Sequence, residues 1–177
     1  KAAKEMKNRI SKLLGVSQIS EGNYYEDSNL PTVGTFHSIC VKILRKNIHL
    51  LDYENNFVIY DMTDQQILMK KIMADFGLSE KRFNPQAVLS SISNAKNQLI
   101  GPNEYRNFAG DYFSEKVAEI YPRYQRALMQ SSALDFDDII MKTVELFDKF
   151  PEILDRYQEK FKFISVDEYQ DTNKAQY

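Results

Sequence analysis

Apolar residues recur every three or four positions along most of this chain, and short runs of continuous apolar character break that period in only a few places. From Ala2 to Leu14 the apolar positions are Ala3, Met6, Ile10 and Leu14, one face of a helix that Gly15 ends. Val16 to Pro31 is polar, carries Gly22, Asn23 and Asn29, and reads as a loop. Thr32–Phe36 reads as a short strand turning into a helix that reaches Leu51, with Ile39, Ile43, Leu44 and Ile48 inward. Asn56–Tyr60 is a second strand-like run. Asp61 or Thr63 caps the next helix, whose expected inward set is Ile67, Leu68, Ile72 and Phe76, with a stop at Gly77.

Asn84-Pro85 then supplies a cap and a proline at the first helical position. The helix it opens carries Val88, Ile92, Ala95 and Leu99 and breaks at Gly101-Pro102. A short helix is expected over Pro102–Ala109. A longer one begins at Asp111, with Phe113, Val117, Ile120, Tyr124 and Leu128 inward and a kink at Pro122. Tyr112, Tyr121 and Tyr124 have the aromatic character to stack bases, but their helical spacing favours packing. Leu134–Asp138 caps a helix bearing Phe136, Ile139, Ile140, Val144 and Phe147. Acids in a first turn suit the positive end of a helix dipole, which accounts for Asp135, Asp137 and Asp138 without a metal. Pro151 starts a last helix with Ile153, Leu154 and Tyr157 inward, and Phe161–Val166 is a third strand-like run. The pattern implies a predominantly helical α/β chain with a few short parallel strands.

Composition narrows the class. Hydrophobic residues make up 43% and aromatics 12% of the 177 residues, enough for a packed core. The one cysteine, Cys40, sits among Ile39, Val41 and Ile43, excludes an intramolecular disulfide and reads as a structural thiol. No apolar run approaches the roughly 18–20 residues that span a bilayer, so no membrane is expected and a cytoplasmic location is. The net charge of −2 argues against a uniformly basic nucleic-acid binder. Local charge is less even: residues 1–12 hold five basic side chains against one Glu, and Lys42, Arg45 and Lys46 cluster after Ser38. Each such patch is equally an ordinary solvated helix face.

The densest candidate chemistry lies at the end of the third run, where Phe161–Val166 delivers adjacent carboxylates, Asp167 and Glu168. In open parallel sheets ligands bind beyond the strand C-termini. One carboxylate there can hold hydrated Mg²⁺ while its neighbour orients or deprotonates an attacking water. A strand followed by a plain polar turn produces the same residues. No phosphate cradle accompanies the pair, because none of the six glycines precedes a lysine.

Asp167-Glu168-Tyr169-Gln170-Asp171-Thr172-Asn173 resembles motif II of the superfamily 1 DNA helicases of the UvrD/PcrA/Rep type. Lys1-Ala2-Ala3-Lys4-Glu5-Met6 resembles the end of that family's motif Ia, and Thr35-Phe36-His37-Ser38 the motif after it. Leu134-Asp135-Phe136-Asp137-Asp138 resembles the element where the chain re-enters the motor domain. The resemblance covers essentially the whole chain. It implies an incomplete RecA-like P-loop motor domain (1A, residues 1–46 and 133–177) with an inserted all-helical subdomain (1B, residues 47–132).

By the same resemblance the parent couples ATP hydrolysis to translocation on single-stranded DNA and unwinds duplex in replication or repair. Asp167 holds Mg²⁺, usually through water, with Glu168 beside it as the base that activates the hydrolytic water. Gln170 senses the γ-phosphate, and Tyr169 gives hydrophobic support. Thr35 and His37 touch single-stranded backbone, Lys1 adds a basic contact, and Phe36 packs in the core. Lys96, with Asn94 and Asn97, is the expected patch for duplex DNA, alongside Lys70, Lys71, Lys81 and Arg82. The partners are single-stranded and duplex DNA and the remaining motor domains of the parent. The family's P-loop lies upstream of motif Ia and its further motifs beyond motif II, so the sequence reads as an excised piece. Alone it is expected to bind neither ATP nor Mg²⁺ and to be inactive. The alternatives are an isolated DNA- or protein-binding module, or part of a RecB/AddA-type helicase-nuclease.

Overall fold

A computed structural model describes residues 2–16, 30–79 and 83–177. Lys1, Lys81, Arg82 and most of the 16–31 loop lie outside them. The described chain is mostly helical, with one two-stranded parallel sheet. Helix α1 spans Ala2–Leu13 and stops at Gly15, whose φ of +66° is left-handed and free of strain only for glycine. Helix α2 spans Phe36–Asn47 and tightens into a 3₁₀ turn over Ile48–Leu51. Thr35 is its N-cap, in extended backbone, and its hydroxyl accepts the Ser38 amide at 3.2 Å. The strand expected over Thr32–Phe36 is therefore not formed. Its last residue is already the first of α2, and 31–35 is an unpaired lead-in to the cap.

Strand β1 (Val58–Ile59) pairs in parallel with β2 (Ala133–Leu134), Val58 opposite Ala133 and Ile59 opposite Leu134. The Val58 and Tyr60 amides donate to the Ser132 and Leu134 carbonyls at 2.9 Å each. β2 was not legible from periodicity, because two residues are too few to show an alternation. Between the strands lie α3 (Met62–Asp75), α4 (Pro85–Asn97), a 3₁₀ turn over Tyr105–Phe108 and α5 (Tyr112–Gln130). Asp61, Asn84 and Asp111 cap the three helices, and α5 runs on through Pro122 as one helix. One inward face differs from expectation. Ile67 is exposed, whereas Ile72 is buried and Leu68 and Phe76 pack against the core as expected, with Met69 and Met73 filling the place left for Ile67.

After β2, Asp135 caps α6 (Phe136–Lys149), and Pro151 opens α7 (Pro151–Lys160). The strand expected over Phe161–Val166 is absent. The segment is irregular, with a bend at Lys162 and no neighbouring strand among the described residues, and Phe163 and Ile164 stand 96% and 77% exposed. A segment becomes a strand only when a partner supplies the ladder.

Two hydrophobic clusters result. One gathers Met69, Met73, Val88, Ile92, Val117, Ile120, Tyr121, Tyr124 and Leu128 from α3, α4 and α5. The other gathers Ile43, Leu44, Ile48, Phe57, Leu134, Ile139, Leu146 and Ile153 from α2, α6, α7 and the β seam. Ala133 belongs to the first and its neighbour Leu134 to the second.

Candidate functional site

The carboxylate pair stands on a turn, not in the core. Asp167 and Glu168 are both exposed, and a 3₁₀ turn, Tyr169–Asp171, follows at once. Glu168 has φ +50° and ψ +43°, a left-handed conformation that a residue with a Cβ adopts only when its surroundings hold it there. Local hydrogen bonds do so. The Glu168 amide donates to Asp167 Oδ1 at 3.1 Å, the Asp171 amide to the Glu168 carbonyl at 2.9 Å, and the Thr172 hydroxyl to the Tyr169 carbonyl at 2.7 Å. Gln170 donates its side-chain amide to Glu168 Oε2. The three residues singled out from sequence thus sit together, with Gln170 orienting Glu168. Tyr169 is exposed and its ring faces Tyr177 across 6.3 Å.

Two adjacent carboxylates in open surroundings suit Mg²⁺, a hard cation that takes one or two carboxylates and completes its shell with water and phosphate oxygens. No group of three or more potential metal ligands occurs among the described residues. A metal here would therefore draw the rest of its shell from water or from ligand oxygens.

The second group is the turn into α2. Thr35 is exposed and spends its hydroxyl on the cap. Phe36 is half-buried. The His37 ring lies flat on Phe136, with centroids 3.7 Å apart and planes 20° from parallel. Partial burial lowers the His37 pKa, against the opposing pull of Asp137. The imidazole is accordingly neutral at pH 7, able to donate one hydrogen bond and to stack, but not to pair as a cation.

Lys96 is not a surface contact. It is 1% exposed, and its ammonium lies 2.6 Å from Asp135 Oδ2 and 2.8 Å from Asp138 Oδ1. The Tyr124 hydroxyl donates to Asp135 at 3.1 Å, and Gln125 donates to both Asp138 oxygens at 3.1 and 3.0 Å. Burial alone would lower the lysine's pKa, but Asp138 and Asp135 outweigh it and hold the ammonium above its ordinary value. Burial and the nearby Asp135 carboxylate push Asp138 up, since one lysine cannot neutralise two acids. The expected DNA contact at Lys96 is overturned: DNA cannot reach a charge inside the core. The signal was present in the sequence, because Leu89, Ile92 and Lys96 follow i, i+3, i+7 along the buried face of α4. Asn94 and Lys70 and Lys71 do lie exposed. Lys1, Lys81 and Arg82 fall outside the described residues.

Asp135 and Asp138 are more than dipole partners. They cap α6 as a reciprocal capping box and at the same time bind the buried lysine. Asp137, between them, accepts from the Asn97 amide at 3.1 Å. No helix among the described residues is long and apolar enough to cross a membrane.

Comparison with known proteins places the chain in a family. The family model for the UvrD/REP helicase N-terminal domain matches residues 1–177. The ATP-dependent DNA helicase PcrA of Bacillus subtilis (strain 168) is 44% identical over 177 residues. Its namesakes in Staphylococcus aureus (strain Mu50) and Staphylococcus epidermidis (strain ATCC 35984) are 45% and 46% identical. Each alignment covers 100% of this chain but 23% of the relative, so the chain spans about a quarter of the proteins it matches. A match running from the first residue to the last, through Thr35–Ser38, Leu134–Asp138 and Asp167–Asn173, makes the chain a member of the UvrD/REP helicase N-terminal domain family.

Proposed function

We propose that this chain is part of an ATP-dependent DNA helicase that moves along single-stranded DNA and separates duplex. The observation that carries the reading is the unbroken match to proteins named ATP-dependent DNA helicase PcrA, taken with an exposed Asp167-Glu168 pair that Gln170 orients. In this reading Asp167 would hold Mg²⁺ through water, and the metal would supply positive charge against the nucleotide phosphates. Glu168 takes the proton of the attacking water, and Gln170 keeps its carboxylate aimed while meeting the γ-phosphate. Thr35 and His37 lie along the single-stranded backbone, and the α3–α5 block is the 1B subdomain facing duplex.

The 177 residues hold no Gly-Lys pair, hence no P-loop lysine. Phosphoryl transfer depends on positioned phosphates, so these residues by themselves do not turn over ATP. The test is made in the intact helicase: Glu168→Gln should lower kcat for ATP by about 10²–10⁴-fold, the usual loss on removing a general base. ATP binding should persist in that variant. Full turnover by Glu168→Gln, or turnover by residues 1–177 alone, would contradict the assignment.

A further inference from the structure

We propose that Asn97 is a positioning residue that joins the carboxylate turn to the His37 turn, so that the DNA side and the nucleotide side of the motor shift as one piece. The inference rests on the motor reading above and adds a residue that touches neither ligand.

Asn97 is the last residue of α4, and its side chain bonds in three directions. The amide donates to the Ser93 carbonyl at 2.9 Å and to Asp137 Oδ1 at 3.1 Å. Its side-chain oxygen accepts from the Asn173 amide. Its main-chain carbonyl accepts from the Ala175 amide at 3.2 Å. Asn173 in turn accepts the Gln176 amide at 3.0 Å, and Ala175 is buried. The stretch directly after Glu168-Tyr169-Gln170 is therefore moored to the end of α4 through Asn97, by one side-chain and one main-chain bond.

On the other side, Asp137 follows Phe136, the residue on which His37 stacks. Three successive contacts thus run from His37 to Phe136, from Asp137 to Asn97, and from Asn97 to Asn173. The junction they cross is stiff. Lys96, next to Asn97, and Asp135 and Asp138, flanking Asp137, form the buried ion cluster. A shift of the His37 turn is passed on by a joint that cannot shear without breaking buried charges.

The test uses the intact helicase, with oligothymidylate as the DNA probe and ATP turnover as the readout. Asn97→Ala and Asn173→Asp should each lower DNA-saturated kcat by about tenfold, within the range that single contacts in a coupling network carry. The KM for ATP, the Kd for the oligonucleotide and the Tm should each stay close to wild type. The double variant should be no slower than the slower single, since both remove one connection. Asn173→Asp preserves shape and the acceptor for Gln176 while turning the donor that meets the Asn97 oxygen into a carboxylate oxygen that repels it, so it breaks the link and carries the test if Asn97→Ala fails to fold. Normal kcat in Asn173→Asp, additive losses, or losses that track Tm and Kd would overturn the proposal. If wild type shows no DNA-dependent turnover, or Glu168→Gln retains it, the motor reading fails. If both behave as expected and the Asn97 and Asn173 variants match wild type, only the link fails.

Discussion

At the scale of single residues, the lysine inside the core has the largest consequence. Truncating one member of a buried ion pair strands the other charges, and Lys96→Ala should cost about 3–5 kcal/mol in chemical denaturation. Replacing the whole cluster is a different experiment. Lys96→Met combined with Asp135→Asn and Asp138→Asn removes all three charges and should recover most of that loss. The pH dependence has a definite sign. Asp138 already sits above its ordinary value of 3.8, and losing Lys96 raises it further. A carboxyl raised on folding favours the native state when protonated, and that advantage is lost as pH climbs from 3.8 through the folded value. The deficit of Lys96→Met against wild type should therefore grow with pH over that window, and a constant deficit would contradict the assignment. The carboxylates at 167–168 lie outside this cluster, exposed at the surface.

At the scale of elements, helix starts are set by local chemistry and strands by partners. Asp61 accepts the Thr63 and Asp64 amides at 2.7 and 2.9 Å, and Asp64 returns a bond to the Asp61 amide at 3.1 Å. Asp61→Ala removes the side-chain half of this capping box, leaving the main-chain bond to Asp64, and should cost about 1 kcal/mol, read from the denaturation midpoint at unchanged slope. The caps at Asp61, Asn84 and Asp111 were visible as side-chain type plus following period, because each needs only the next three residues. Ile67 shows the limit of that local reading. Its spacing allowed an inward position, but a helix has two adjacent apolar stripes here, and packing against α4 and α5 selected the one with Met69 and Met73.

At the scale of the whole molecule, two hydrophobic clusters share a narrow seam. The β1–β2 pair and the consecutive residues Ala133 and Leu134 connect them, and the Lys96 cluster bridges α4 to α6 beside it. Such a seam predicts cooperative unfolding. Leu128→Ala, in the first cluster, should destabilise by about 2–5 kcal/mol. Amide-exchange protection should fall in α6 and α2 of the second cluster as much as in α3–α5. Protection retained in α2 and α6 alone would mean that the two clusters open separately.

The helices and the Asp167-Glu168-Tyr169-Gln170 string are local properties, and the order of residues was enough to find them, though it placed the string at a strand end and not on the turn it forms. Family membership was legible for the same reason, since its motifs are short contiguous strings. What the sequence left open depended on neighbours distant in the chain. Whether Phe161–Val166 is a strand hangs on a partner's hydrogen bonds, and β1 found its partner 75 positions later, as Val58 pairs with Ala133. Lys96 had the composition of a DNA contact and became a core ion because Asp135 and Asp138 lie against it in space. A buried charge is set by what surrounds it, and only the tertiary structure brings those surroundings together.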